Sequence, residues 1–129
     1  ESCPLTSENF DNFHRRYARE IIKLLRAKGV GSVTYGCAAK IIAIYLKSMI
    51  IIGPLWDTRF ACIIHPPLDR ILLHDLARRD GLPKGLKQKC KTNWTELSED
   101  KYFDLIQGFR QADLDKPAFW RLEQHWKPS

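Results

Sequence analysis

The segment from about Thr34 to Ile52 limits the possible folds of this chain more than any other segment does. Its apolar residues lie on nearly every side of a predicted helix, which is the pattern of a helix buried at the centre of a domain. The segment is almost long enough to cross a bilayer, but Lys40 and Lys47 interrupt it. We therefore expect a buried central helix and no membrane span, with a short strand at Ile50–Ile52 as the local alternative.

Four further segments show the three- and four-residue apolar spacing of amphipathic helices. The first runs from Ser7, which can cap its N-terminus, to about Lys28, and Gly29 suits the left-handed residue that ends a helix. Its expected buried residues are Phe10, Phe13, Tyr17, Ile21, Leu24 and Leu25. The other three helices are predicted to begin at Pro66, at Ser98 and at Asp115.

The remaining segments are predicted to be connections. Leu82–Asn93 is rich in lysine and contains Pro83 and Gly85, so we expect it to be a loop. No internal repeat or long linker divides the chain. The sequence thus predicts an all-α fold: one domain over residues 1–129, built as a compact bundle of about five helices around the helix at about 34–52. Because the sequence begins with Glu1, this domain is compatible with being a piece of a longer chain.

The charge of the chain favours a polyanionic partner. Lys and Arg number 21 against 15 Asp and Glu, which leaves a formal net charge of +6. Arg15, Arg19 and Lys23 recur at four-residue steps and form a basic ridge on the first helix. Lys84 and Lys87 add positive charge in the predicted loop. Double-stranded DNA is the expected partner of these five residues.

The sequence predicts no cofactor and no metal. Cys62 and His65 have the spacing of zinc ligands, but no second close pair of ligands completes a tetrahedral site. No catalytic serine triad, P-loop or dinucleotide fingerprint is present. The four cysteines are widely spaced and are expected to be reduced, and the N-terminus has no secretory pattern. We therefore expect a cytoplasmic protein.

Two short motifs carry the possible chemistry. Gly29-Val30-Gly31 lies between two predicted helices, where glycines let backbone amides approach a phosphate. The alternative is an ordinary helix end followed by a flexible residue. Pro67-Leu68-Asp69 places a carboxylate at the start of a helix, and Asp69 either caps that helix or points into a cleft.

These motifs, in this order, resemble the helix-hairpin-helix DNA glycosylases over about residues 24–80. The resemblance implies an all-helical protein that releases a base from DNA, with Asp69 as the catalytic carboxylate and Gly29 and Gly31 against a DNA phosphate. The stretch from Gly31 to Asp69 is longer than the usual family pattern. Ser32 and Val33 stand where some members carry a catalytic lysine, and Lys40 is the nearest substitute.

If the chain has this activity, the released base must first leave the duplex and enter a pocket. Trp56 and Phe60 are the candidates for stacking against the base, and a hydrophobic cover over the core is their alternative role. Lys40 either attacks the sugar as an amine or extends its charge to solvent from a buried helix.

Two classes of function remain open at this point. One is a DNA-associated protein, with or without base-excision activity. The other is a non-catalytic helical module that binds another protein, which the four tryptophans and an acidic C-terminal helix favour.

Overall fold

A computed structural model describes residues 6–48 and 63–114 of the chain. In these two ranges the regular elements are five α-helices and one 3-10 turn. The prediction of an all-α bundle is therefore confirmed. The predicted helix from Asp115, and the strand alternative at Ile50–Ile52, lie outside the described residues.

The helices follow one another in a simple order along the chain. They are α1 (Ser7–Ala27), α2 (Tyr35–Leu46), α3 (Arg70–Arg78), α4 (Lys84–Lys89) and α5 (Glu99–Gln111), and the 3-10 turn Trp94–Glu96 precedes α5. Helix α2 packs against α1, α5 and the 3-10 turn, while α4 lies between α3 and α5. Helix α2 thus makes its main contacts with three of the other elements.

The capping residue of helix α1 lies one residue earlier in the sequence than predicted. The Thr6 side chain, not that of Ser7, accepts the hydrogen bond from the Asn9 amide. Ser7 is already the first helical residue, because Thr6 has the extended backbone that a capping residue requires. Gly29 ends the helix as expected, with a φ of 94°.

The buried face of α1 also differs from the predicted face. Phe10, Asp11, His14 and Ala18 are buried, whereas Phe13 and Tyr17 are 39% and 49% exposed. A spacing of three and four residues fits both the buried and the exposed row of side chains on α1. The prediction chose the exposed row because it rested on apolarity alone. Two polar residues can take the inner positions because they find hydrogen-bonding partners there, as described below.

Helix α2 is buried on its inner side. Thr34 caps it by accepting from the Cys37 amide, and Ala38, Ala39 and Ile42 pack into the core. Its other apolar side chains at Ile41, Ile44 and Tyr45 are exposed.

The predicted start of the third helix is corrected by the structure. Pro66 and Pro67 lie in a non-helical segment, and α3 begins only at Arg70. Asp69 is the capping residue of α3, because its Oδ1 accepts from the Leu72 amide at 2.9 Å. A residue before a proline avoids helical backbone angles, which delays the helix until the prolines are passed.

The predicted lysine-rich loop contains helix α4. Pro83 precedes its first residue, and Leu86 and Cys90 point into the core from one side of the short helix. A Cβ on Gly108 would lie 2.8 Å from Leu86 Cδ1, so the glycine makes room for this leucine. This packing against α5 outweighs the loop preference of the local sequence.

A second glycine determines where the 3-10 turn lies. A Cβ on Gly36 would overlap the carbonyl oxygen of Trp94. The absence of a side chain lets the 94–97 backbone contact α2, and the Gly36 amide donates to the Leu97 carbonyl at 2.9 Å. Thr34 Oγ1 donates to the Thr95 carbonyl in the same contact. Trp94 is thereby held beside α2, close to Lys40 one turn along.

Candidate functional site

Lys40 and Asp69 meet in the structure. Lys40 Nζ lies 3.6 Å from Asp69 Oδ2, and the two side chains are 28% and 18% exposed. Asp69 Oδ1 is already occupied by the Leu72 amide, so the helix cap fixes the carboxylate and leaves Oδ2 facing the lysine. The helix cap and the contact of Asp69 with Lys40 are therefore compatible with each other.

An aromatic ring completes this arrangement. Lys40 Nζ lies 4.7 Å from the centroid of the Trp94 ring, within the range of a cation–π interaction. The ammonium group is thus held between an anion and the face of an indole. Its hydrocarbon chain does not simply extend into solvent.

A large cleft lies next to Asp69 and Trp94. Its volume is about 760 Å³, and it is formed by α3 and the segment 90–94. We call it the basic cleft, because the basic residues Arg70, His74, Arg78 and Lys91 line it. Leu73 and Ala77 form part of its floor, and Trp94 stands at the side near Lys40.

The described lining of the basic cleft has an uncompensated positive charge, because none of the lining residues within 6–48 and 63–114 is acidic. In the described part of the chain, the ion pairs of Asp75 with Arg79 and of Asp104 with Lys89 involve other cations. The arrangement favours an anionic ligand.

The predicted basic ridge on α1 is largely occupied by other interactions. Arg19 donates two hydrogen bonds to the Glu99 carboxylate, at 3.0 and 2.7 Å. Arg15 lies over the Phe103 ring and 3.6 Å from Glu99 Oε2. Lys23 is exposed. Two of the three ridge cations therefore connect α1 to α5, and their charge is shared with Glu99.

The glycine motif forms a helix end. The Gly29 amide donates to the Arg26 carbonyl and the Val30 amide donates to the Leu25 carbonyl, which together make a Schellman motif. These two amides are used within the chain. Gly31 is exposed, with no heavy atom near the position of a Cβ.

The remaining predicted residues do not join the Lys40–Asp69 pair. Lys84 and Lys87 lie on α4 and do not line the basic cleft. Trp56 and Phe60 lie outside the described residues, as does Cys62 of the weak zinc pattern. Across residues 6–48 and 63–114, no group of three or more His, Cys, Asp or Glu side chains is arranged to hold a metal ion. Nor is any helix in those ranges long and apolar enough to cross a membrane.

A second polar cluster lies in the core. His65 Nε2 is 2.8 Å from Asp11 Oδ1, and His65 Nδ1 is 2.7 Å from the Tyr102 hydroxyl. The same hydroxyl is 3.4 Å from His14 Nε2, and His14 Nδ1 is 2.8 Å from the Tyr35 hydroxyl. This buried network joins α1, α2, α5 and the segment before α3.

One assignment of protons satisfies every one of these contacts. Tyr35 donates to His14, His14 donates to Tyr102, Tyr102 donates to His65, and His65 donates to the Asp11 carboxylate. Both histidines are then neutral and protonated on Nε2. Arg110 also donates two hydrogen bonds to Asp11, at 2.6 and 2.9 Å.

The pKa values of the network agree with this assignment. Burial lowers the pKa of His14 well below 6.5 and also lowers the pKa of His65. Burial alone would raise the pKa of Asp11, but hydrogen bonds from Arg110 and His65 outweigh it and hold that pKa at about 2. Burial also raises the pKa of the Tyr102 hydroxyl well above its usual value. The charged pair is Asp11 with Arg110, and the other members are neutral.

The buried network has no access for a substrate. His14, His65 and Tyr102 are each at most 3% exposed. Its polar groups are used to connect helices, so we assign it a structural role.

Several residues of both sites were not singled out from the sequence. Arg70, His74 and Arg78 recur at four-residue steps directly after Asp69, and this spacing on an amphipathic helix was a readable signal. Trp94 carried no such signal, because its position depends on the contact with Gly36. His14 and Asp11 were not singled out, because the apolar residues next to them determine the predicted buried face of α1.

Comparison of the chain with protein-family models, with curated proteins and with solved structures gave no match. The candidate site therefore has to be interpreted from its own geometry.

Proposed function

We propose that this protein binds DNA beside the N-terminus of α3 and releases a base there, with Asp69 and Lys40 as its catalytic residues. The observation that carries the proposal is the contact between Lys40 Nζ and Asp69 Oδ2. Lys40 and Asp69 are 29 positions apart in the sequence. They meet next to the positively charged basic cleft. The resemblance of the motifs to helix-hairpin-helix glycosylases supports the same reaction.

The carboxylate has a defined role in this reaction. When the bond between the base and C1′ breaks, its electron pair leaves with the base and positive charge develops on the sugar. Asp69 is held in place by the Leu72 amide, so its Oδ2 can stabilise that charge without reorganising.

Lys40 has a role in each half of the reaction. Its ammonium can give a proton to the departing base, which leaves a neutral amine next to the cationic C1′ carbon. The amine then forms a bond to C1′, and opening of the sugar ring gives a Schiff base. Trp94 and Asp69 hold the ammonium in position before the reaction begins.

The proposal is tested with duplexes that carry oxidised, alkylated or deaminated bases. Asp69→Asn should keep the cap, because asparagine also accepts the amide hydrogen bond, and should lower base release by about a hundredfold or more. Lys40→Gln should abolish the covalent adduct that borohydride forms with a Schiff base.

Lys89→Gln is the matched control, since Lys89 pairs with Asp104 at 3.0 Å on another part of the surface. It should leave both base release and the borohydride adduct unchanged. If wild-type protein in excess and at low salt yields no product from any of these duplexes, the proposed activity is refuted.

A second candidate function is supported by a separate observation. Phe13 and Tyr17 on α1, and Ile41, Ile44 and Tyr45 on α2, are large apolar side chains that are 39–62% exposed. Exposed apolar groups on two helices that pack together favour a contact with another protein. Failure of both base release and salt-dependent DNA binding would favour this module.

A further inference from the structure

We infer that the basic cleft binds the backbone of single-stranded DNA, with Arg70, Arg78 and Lys91 on phosphates and Trp94 against a base. The inference deepens the proposed function, on which it rests for the identity of the polymer. It assigns the DNA contacts to α3 and the segment 90–94, and not to the ridge on α1.

Among the described residues, the cations of the cleft have no competing anion. Arg70, Arg78 and Lys91 form no ion pair with an acidic side chain of the described residues, whereas Arg15 and Arg19 share Glu99. A phosphate that binds in the cleft therefore need not displace an internal partner. A phosphate on the α1 ridge would compete with Glu99.

The cations on α3 are spaced along a line. Arg70, His74 and Arg78 are four residues apart, so they follow one side of the helix over about 12 Å. One strand of stacked DNA carries a phosphate about every 3.4 Å along the helix axis, and an unstacked strand is more extended. The row therefore spans at most three or four nucleotides, and Lys91 reaches the same cleft from the opposite wall.

The aromatic lining indicates unstacked bases. In a duplex the faces of the bases are covered by their neighbours, and an indole can stack only on a base that has left the helix or on a single strand. Trp94 lines the basic cleft in the company of Thr92 and Asn93. A positively charged groove with an aromatic side chain is the usual combination in proteins that bind single strands.

The cleft and the reactive pair are next to each other. Arg70 directly follows Asp69 in the chain, and the ring of Trp94 contacts Lys40. A strand bound in the cleft would thus be held beside the carboxylate and the amine. This arrangement places an unpaired nucleotide where the proposed reaction needs it.

The test measures the binding of undamaged DNA, so that no reaction is involved. Fluorescence anisotropy of a labelled oligothymidylate and of a labelled mixed-sequence duplex would be followed against salt, using the full chain. We expect wild-type protein to bind the oligothymidylate more tightly. Arg70→Gln/Arg78→Gln should weaken this binding roughly tenfold or more at low salt and reduce the slope of log K against log salt by about 1.4.

Trp94 is tested with two variants. Trp94→Leu should weaken binding roughly fivefold or more with an unchanged salt slope, because stacking involves no counterion release. Trp94→Phe retains a ring and should fall between wild type and Trp94→Leu, which separates the loss of stacking from a loss of folding.

Arg15→Gln/Arg19→Gln is the matched control, since it removes the same charge from α1. An equal loss of binding in this control would mean that only net charge matters and would overturn the inference. Tighter binding of the duplex, or no effect at Trp94, would overturn it as well. Binding that follows these expectations without base release would refute the proposed activity and leave the single-strand site in place.

Discussion

The buried network and the basic cleft place their polar groups in opposite environments. In the network, Asp11, His14 and His65 are almost completely buried, and each of these side chains is hydrogen-bonded. In the cleft, Arg70 and Arg78 are both exposed, with no described carboxylate to pair with them. The network contains both signs of charge, and the described lining of the cleft contains only positive charge.

The difference separates the residues that stabilise the fold from those that can bind a ligand. Buried polar groups are costly unless they are hydrogen-bonded, so this hydrogen-bonded network stabilises the fold. Like charges gathered on a surface contribute little to stability and remain available. Titratable residues alone would have suggested the histidine cluster as the functional site. The burial of these histidines argues against that role.

The largest effect should come from breaking the ion pair inside the network. Asp11→Ala leaves the Arg110 guanidinium without its carboxylate and removes the acceptor of His65, so we expect a loss of about 3 kcal/mol or more in the free energy of unfolding. Urea unfolding measures this. Asp104→Ala, which breaks an exposed pair with Lys89, should cost about 1 kcal/mol or less. Equal losses would mean that the network is no more important than a surface pair.

The same network should determine how the stability of the protein depends on pH. The pKa values of His14 and His65 are lower in the folded state than 6.5, so the unfolded chain binds more protons below that pH. Stability is then present above pH 6.5 and falls as the pH drops, by at most about 1.36 kcal/mol per unit for each histidine. The two tyrosines that face the histidines stay protonated throughout this range, because burial raises the pKa of both hydroxyls.

A second acidic step should follow at lower pH. The pKa of Asp11 is about 2 in the folded state against 3.8 in the unfolded chain, so its contribution is lost as the pH falls from 3.8 towards 2. Thermal unfolding at a series of pH values measures both steps. His74→Ala removes an exposed histidine of the cleft and should leave the profile unchanged. A wild-type profile that is flat between pH 7 and 5 would contradict the buried neutral histidines.

The sequence predicted helices better than it predicted which side of a helix is buried. Apolar spacing and caps such as Ser98 and Asp69 are local signals, and α5 buries Tyr102 and Phe109 of its apolar face. The orientation of α1 depends on partners that are distant in sequence, since Asp11 pairs with Arg110 across 99 positions. No local pattern carries that information.

The candidate site was predictable to a similar depth. Asp69 and Lys40 were identified from their motif and spacing, and the cap of α3 follows from residue type alone. Their contact required the packing of α2 against the segment before α3. Trp94 could not be placed, because its position depends on one missing side chain at Gly36.

Gly36→Ala should therefore disturb the site from a distance. A Cβ at this position would overlap the Trp94 carbonyl and approach Leu97, so the 94–97 segment must shift and we expect a loss of about 1–3 kcal/mol. The fluorescence of Trp94 should change with it. Gly85→Ala on α4 is the control: no heavy atom lies near the added Cβ, and the better helix propensity of alanine should raise stability by up to about 1 kcal/mol. An unchanged stability in Gly36→Ala would show that the turn is not held by this contact.

The smallest effect on stability should come from the basic cleft. Arg70→Gln/Arg78→Gln removes two exposed guanidinium groups that have no described acidic partner, and we expect the free energy of unfolding to change by no more than about 0.5 kcal/mol. Glutamine keeps the length and the helix propensity of these positions, so the charge is the main difference. Urea unfolding of the double variant and of Asp11→Ala under the same conditions compares the two regions directly. A loss above about 1 kcal/mol in the cleft variant would mean that these arginines stabilise the fold, and the contrast between a structural network and a ligand-binding cleft would no longer hold.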